Sequence, residues 1–266
     1  MLIVGELFNT SRKVILENVE KRNTGYIRDI AQRQVEAGAD YLDVNCGDVL
    51  DEEVEALGWL IENIQAVVDV PLCIDTPNPV AMEFGLSCAK NGQPLVNSIT
   101  GEEDRYNAML PLIIKYKAKV VALTIDKQGI PQAVEDRLRV TRQLVKNLTG
   151  AGVAVDDIYL DLLVQPLATG DRAGLELLNV VRLVKQEFPE CHLLSGLSNI
   201  SFGLPNRGVL NRIFMIQTLT LGMDAYILDP LDKTLMGYLY ATQALLGQDQ
   251  FCAKYLAAHR KGLYKS

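Results

Sequence analysis

The sequence predicts a single closed (β/α)8 barrel, and three observations carry that prediction. Short β-rich runs alternate with longer amphipathic stretches through eight repeats in a chain of 266 residues; such alternation implies parallel strands joined by right-handed helical crossovers. Eight units in this length suit a barrel. An open doubly wound sheet would show a glycine-rich turn after its first strand, and Gly5-Glu6-Leu7-Phe8-Asn9-Thr10 has none. No Gly/Ser or Pro linker and no low-complexity tract interrupts the pattern, so residues 1–266 read as one domain.

In chain order, the expected strands are 2–5, 40–45, 71–75, 94–97, 118–124, 157–161, 192–196 and 225–228. The expected helices are 23–37, 51–68, 78–90, 102–116, 132–150, 171–187, 207–222 and 231–247. Gly38 reads as the terminator of the first helix, because a glycine accepts the left-handed conformation that ends one. Asp51-Glu52-Glu53 places three acids in the first turn of the second helix, where the dipole favours them. Pro71 opens the third strand, where its missing N–H does least harm. Thr100 with Glu103 matches a capping box before the fourth helix. Asp229-Pro230 reads as the end of the eighth strand and the start of the last helix.

Composition excludes several classes. The net charge of −7 argues against non-specific binding to nucleic acid or to an anionic membrane, which needs clustered Lys and Arg. No apolar run approaches the roughly 20 residues that span a bilayer. The five cysteines are scattered without a CxxC pair, and no basic leader precedes the first strand, so reduced thiols in a cytoplasm are expected. The two histidines, His192 and His259, lie away from the expected strand exits. That leaves no His general base and argues against a zinc hydrolase, so no tightly bound metal is expected. Cys46 lies near an exit but has no imidazole to activate it.

In a barrel of this kind the site lies at the C-terminal ends of the strands. Those exits carry acids and amides: Glu6 and Asn9, then Asp43, Asn45 and Asp48, then Asp75, then Asn97 and Ser98. They continue with Thr124, Asp126 and Lys127, then Asp161 and Gln165, then Ser198 and Asn199, with Arg207 opening the next helix. Taken singly, such residues often just end a strand or cap a helix. Taken together they suit one flat ligand rich in N–H donors. A carboxylate accepts two parallel hydrogen bonds from an amino-pyrimidinone edge, and an asparagine reads a mixed edge. Pterins and guanine-like rings present that edge. For Asp43 and Asn45 a purely structural role stays equally open.

The chain resembles the pterin-binding methyltransferases, the methyltetrahydrofolate:corrinoid/iron–sulfur protein methyltransferase family above all, with the folate domain of cobalamin-dependent methionine synthase as a near relative. The resemblance runs through Met1-Leu2-Ile3-Val4-Gly5-Glu6 with Asn9, Leu42-Asp43-Val44-Asn45, Leu72-Cys73-Ile74-Asp75-Thr76, Val96-Asn97-Ser98 and Gly129-Ile130-Pro131. It continues through Tyr159-Leu160-Asp161 and Gly196-Leu197-Ser198-Asn199-Ile200-Ser201 to Asn206-Arg207, Asn211-Arg212 and Phe214.

The resemblance implies a homodimeric barrel that binds tetrahydrofolate or its 5-methyl form as substrate. It exchanges the methyl group with a corrinoid (cobalamin) carried on a separate protein. Asp75, Asn97 and Asp161 would hold the pterin ring, Gly196 and Ser198 would line its pocket, Asn199 would lie near N5, and Arg207 would meet the p-aminobenzoyl-glutamate side. Asn199 does not titrate usefully, so it would donate a hydrogen bond, with Asp75, Asp161 or water completing a proton path. Leu162 stands where the family carries proline. Phe202 matches the methionine synthase type, so no polar role is assigned there. A dihydropteroate-synthase-like pterin enzyme, a metal-dependent barrel using Asp43, Asp75 and Asp161, and a non-catalytic folate-binding protein are the rival readings.

Overall fold

The computed structural model describes residues 1–131 and 133–264, and within the helical segment 47–65 the side chains of Leu50 and Asp51 lie outside the description. Eight parallel strands close on themselves in sequence order: β1 Leu2–Asn9, β2 Tyr41–Asn45, β3 Leu72–Asp75, β4 Leu95–Gly101, β5 Lys119–Asp126, β6 Ile158–Asp161, β7 His192–Gly196 and β8 Ala225–Leu228. The last strand pairs with the first, Leu2 opposite Ala225 and Gly5 opposite Leu228.

Around them lie α1 Lys13–Glu20, α2 Thr24–Ala37, α3 Glu53–Gln65, α4 Pro79–Cys88, α5 Glu103–Tyr116, α6 Val134–Gly150, α7 Ala173–Glu187, α8 Arg207–Thr220, α9 Lys233–Leu245 and α10 Ala253–Arg260. No described helix is long and apolar enough to cross a membrane.

Two cores form. The larger lies between strands and helices, where fully buried Leu42, Ile74 and Leu160 meet helix residues such as Leu60, Met82 and Val181. The smaller fills the barrel itself and takes one residue from each strand: Val4, Tyr41, Cys73, Leu95, Val121, Tyr159, Leu194 and Ala225.

Each expected strand and helix is present, with shifted ends. Gly38 does terminate α2, at φ 112°. The capping box does not form: β4 runs on through Thr100 to Gly101, and Thr100 instead accepts the Glu102 N–H at 3.3 Å. The turn of acids at 51–53 is also displaced, because a 3-10 segment occupies Gly47–Glu52 and the α-helix starts at Glu53. The expected start of the 132–150 helix lies outside the described residues, and α6 begins at Val134. Pro230 does not start a helix: Asp229 closes a turn by accepting the Leu231 N–H at 2.9 Å, and α9 starts at Lys233, capped by Asp232. Helices α1 and α10 have no counterpart in the sequence reading.

Candidate active site

The barrel core fixes which strand residues face inward. Side chains alternate along a strand, so positions two beyond the core layer also point into the barrel, nearer its C-terminal rim. Two beyond Val4, Tyr41, Cys73, Leu95 and Tyr159 stand Glu6, Asp43, Asp75, Asn97 and Asp161. The remaining strands supply Leu123, Gly196 and Ile227 at that level. An apolar floor therefore carries a layer in which five of eight strands present an acid or an amide. Asp75 and Asn97 lie directly opposite one another across β3 and β4.

The acids of this layer are short of cations. Asp75 accepts the Asn45 amide at 2.9 Å and feels the Arg105 charge, yet burial outweighs both and raises its pKa to about 6. Asp161 is raised to about 6 by burial, against one hydrogen bond from the Leu163 N–H at 2.8 Å. Burial also raises Glu6 against its ion pair with Arg12. Asp43, 3% exposed, is pushed well above the usual carboxylate range by burial and by Asp75 beside it. Around neutral pH Asp75 and Asp161 are thus carboxylates with spare acceptor capacity, half-buried at the ends of their strands. Such groups gain most from an N–H-bearing ligand.

The exits are held from behind. Glu53, at the start of α3, accepts from Thr76 Oγ1 and from the Asn78 amide, fixing the turn after β3. Arg105 of α5 donates to the Ser98 and Pro77 carbonyls at 3.1 and 3.4 Å, bracing the turns beside Asp75. Arg137 of α6 donates to the Leu162 carbonyl at 3.2 Å. This supports the β6 exit, where Leu163 adopts a left-handed φ of 62°; here Leu162, in place of proline, packs away at 1% exposure.

Beyond β7 the chain turns into a 3-10 segment, Leu197–Ser201, that holds Ser198 and Asn199 at the rim. Ser198 Oγ donates to Glu6 at 3.2 Å, tying the β7 exit to β1. A Cβ on Gly196 would stand 3.2 Å from the Asn199 amide nitrogen, so the glycine makes room for that side chain. Arg207 donates to Ser201 Oγ at 3.0 Å and to the Ser198 carbonyl at 2.6 Å, with its guanidinium 5.9 Å from the ring of Phe202. Its first role is to shape this loop. Phe202 is 65% exposed, an apolar edge on the rim.

All the residues singled out from sequence (Asp75, Asn97, Asp161, Gly196, Ser198, Asn199 and Arg207) sit on the C-terminal side of one barrel. Of the wider list, Asp126 faces Arg139 at 2.8 Å and the Gln128 N–H, and Asn9 accepts from the Ser11 N–H. Cys46 is buried with its thiol raised to about 12, unsuited to nucleophilic work. Among the described residues no group of three or more His, Cys, Asp or Glu is arranged to hold a metal, and Asp43, Asp75 and Asp161 form no such group. Glu6 and Arg105 were the residues that sequence undervalued. Glu6 stands in the sequence reading only as one of many strand exits, and the period-two rule applied to Val4 raises it to the inward layer; Arg105 gives no local signal.

Comparison with known proteins places this geometry. A family model described as pterin binding enzyme matches residues 5–229. The chain is 38% identical over 266 residues to a methylcorrinoid:tetrahydrofolate methyltransferase of Eubacterium limosum, covering 98% of this chain and 97% of that one. It is 32% identical over 240 residues to a methionine synthase of Mycobacterium leprae, spanning 85% of this chain and 20% of that protein. Among solved structures, a dihydropteroate synthase of Vibrio fischeri superposes with a TM-score of 0.70 at 20% identity, covering 93% of each chain; at that identity the likeness speaks for the fold. The chain belongs to the pterin binding enzyme family.

Proposed function

We propose that this chain moves a methyl group between N5 of tetrahydrofolate and the cobalt of a corrinoid carried by a separate protein. The observation that carries the reading is the end-to-end match to a methylcorrinoid:tetrahydrofolate methyltransferase. The acid-and-amide layer supports it, since it suits a pterin edge. Asp75 and Asp161 accept N–H donors of the pterin, Asn97 reads a mixed position, and Gly196 and Ser198 line the ring. Arg207 meets the p-aminobenzoyl-glutamate side with the donor capacity that the loop leaves free. The 1–266 chain works as one domain, in a cytoplasm and as a homodimer.

The corrinoid supplies a cobalt centre able to give up or receive a methyl group; the rest falls to this chain. In the direction toward folate, the N5 lone pair takes the methyl carbon, the electrons of the broken bond stay with the corrinoid, and N5 loses its proton. The N5 proton passes to water or to a rim carboxylate, Asp75 or Asp161. In the reverse direction the same groups return that proton as the C–N bond breaks. When the C–N bond breaks in that direction, Asn199, beside the ring pocket, donates a hydrogen bond to N5 that strengthens as electron density builds there.

The direct test mixes the protein with methylcobalamin, or a methylated corrinoid protein, and tetrahydrofolate, and follows the corrinoid absorbance. Turnover that yields 5-methyltetrahydrofolate is the expected result. Folate binding without turnover with any corrinoid would identify a binding protein instead.

A further inference from the structure

We propose that Arg137 is a positioning residue for Asp161: it grips the peptide group whose N–H holds the Asp161 carboxylate. The inference rests on the pterin-site reading above and deepens it. The carbonyl of Leu162 and the N–H of Leu163 belong to one rigid peptide plane. The carbonyl of that plane accepts from Arg137 Nη1 at 3.2 Å, and its N–H donates to Asp161 Oδ1 at 2.8 Å. An arginine on α6 thus sets the direction of a carboxylate at the end of β6 through one intervening peptide.

That peptide needs holding. Leu163 adopts a φ of 62°, a left-handed conformation that is costly for any residue with a Cβ. A relaxed Leu163 would turn its N–H away from the carboxylate. Leu162, 1% exposed, anchors one end of the plane by its side chain, and Arg137 anchors the carbonyl. The same guanidinium reaches a second exit: its Nε donates to the Pro131 carbonyl at 3.3 Å, in the loop that follows β5, and β5 pairs with β6. A planar guanidinium holds two carbonyls from separate segments at once, which a point-like ammonium does not. Arg137 is itself buried, 5% exposed, and Glu176 of α7 is the acid that faces it. A cation is buried there to order backbone. Asp161 depends on that order: Thr124 Oγ1 of β5 donates to its carbonyl at 3.2 Å, while its side chain has the Leu163 N–H to set against burial.

The test uses the full chain with two substitutions. Arg137→Met keeps an apolar stem and removes the donors; Arg137→Lys keeps the charge and loses the fork. The first measurement needs no folate. In the wild type the NMR resonance of the Leu163 amide should titrate with Asp161, at a midpoint of about 6. In Arg137→Met that midpoint should rise, because a carboxylate that loses an N–H donor takes up a proton more readily. No titration of that amide in the wild type, or an unmoved midpoint in folded Arg137→Met, overturns the proposal. Should Arg137→Met fail to fold, Arg137→Lys decides, and an unmoved midpoint there overturns it equally. The second measurement is steady-state transfer from methylcobalamin to tetrahydrofolate. Arg137→Met should raise the KM for tetrahydrofolate roughly tenfold, the scale of one lost buried hydrogen bond, with kcat within about threefold of wild type. Leu163→Gly added to Arg137→Met should bring KM back to within about threefold of wild type, since glycine adopts the left-handed turn without strain. A wild-type KM in Arg137→Met, a loss carried by kcat alone, or a loss that the glycine leaves unchanged would reduce Arg137 to a support of the fold. A wild type whose Leu163 amide titrates as expected but that does not bind folate would instead refute the pterin-site reading.

Discussion

The two ends of the barrel use the same side chains to opposite effect. At the N-terminal end His192 stacks on Tyr159, ring centroids 4.6 Å apart, and bridges Asp224 at 3.0 Å and Asp156 at 3.1 Å. Asp224 also accepts the Leu193 N–H at 2.9 Å and faces Lys185. Burial alone would raise Asp224, but these partners hold its pKa below the ordinary value, and the hydrogen bond with Asp224 raises His192. At the C-terminal end Asp75, Asp161, Asp43 and Glu6 are all raised by burial that their partners do not offset. One end is electrostatically balanced; the other carries acids whose burial its own partners leave uncompensated. In barrels of this type the first pattern goes with stability and the second with function.

The strongest way to break this contrast is at Asn199. Replacing it with alanine is expected to lower the methyl-transfer rate about 100-fold, the scale of removing one donor to a developing charge, with folate affinity changed by less than about threefold. Rapid-mixing kinetics beside calorimetry decide it. Equal losses in both would reject a role that grows in the transition state.

Next in size are the ring-holding acids. Asp75→Ala or Asp161→Ala should weaken folate binding by about 2–3 kcal/mol, the worth of a charge-assisted hydrogen bond. In the wild type, binding should fall as pH drops through about 6, where Asp75 and Asp161 gain protons. Affinity independent of pH from 5 to 8 would place the ligand on other groups.

A smaller effect of opposite sign concerns stability. Native pKa values of about 6, against 3.8 for the free side chain, mean that the folded state penalises these anions above pH 6 and that the penalty is relieved as pH falls toward 3.8. Asp75→Asn and Asp161→Asn should therefore each stabilise the fold at pH 8 by on the order of 1–2 kcal/mol, seen as a higher melting temperature, while impairing binding. Lowered melting temperatures in both would show that these acids support the fold.

The smallest effect lies at the opposite end. His192 contributes stability that is full below its unfolded value of 6.5 and lost as pH rises through its higher folded value. Asp224 contributes above 3.8, and that share is lost as pH falls through its lower folded value. His192→Ala should cost about 1 kcal/mol, most clearly between pH 4 and 6.5 in thermal melts, with methyl transfer unchanged.

The legible parts of this molecule were those written locally. Eight apolar runs alternating with amphipathic stretches gave the strands and their direction, and the acids or amides that end four of them (Asn45, Asp75, Asn97 and Asp161) marked the face that carries the site, because a parallel barrel puts every strand exit on one rim. Helix α1 escaped because it has only eight residues, Lys13–Glu20, and buries just Ile15 and Val19. The capping box at Thr100 failed because pairing with β5 carries β4 on to Gly101, and ladder hydrogen bonds outweigh a cap. Contacts that close the site were invisible for another reason. Ser198 meets Glu6 across 192 residues, and Arg105 reads as an ordinary surface position on its helix until tertiary packing turns it toward Asp75.

The apolar plug beneath the polar layer has a consequence for proton traffic. Val4, Leu95, Val121, Leu194 and Ala225 are wholly buried, so neither water nor a proton has a lower door to the rim carboxylates. If the corrinoid carrier proposed above docks on the rim, it covers the side from which those carboxylates meet the buffer. Within such a complex the N5 proton is held by trapped water or by Asp75 or Asp161, and it reaches the buffer when the complex comes apart. Acidity should then govern how many encounters are productive, and leave the exchange inside a sealed complex untouched.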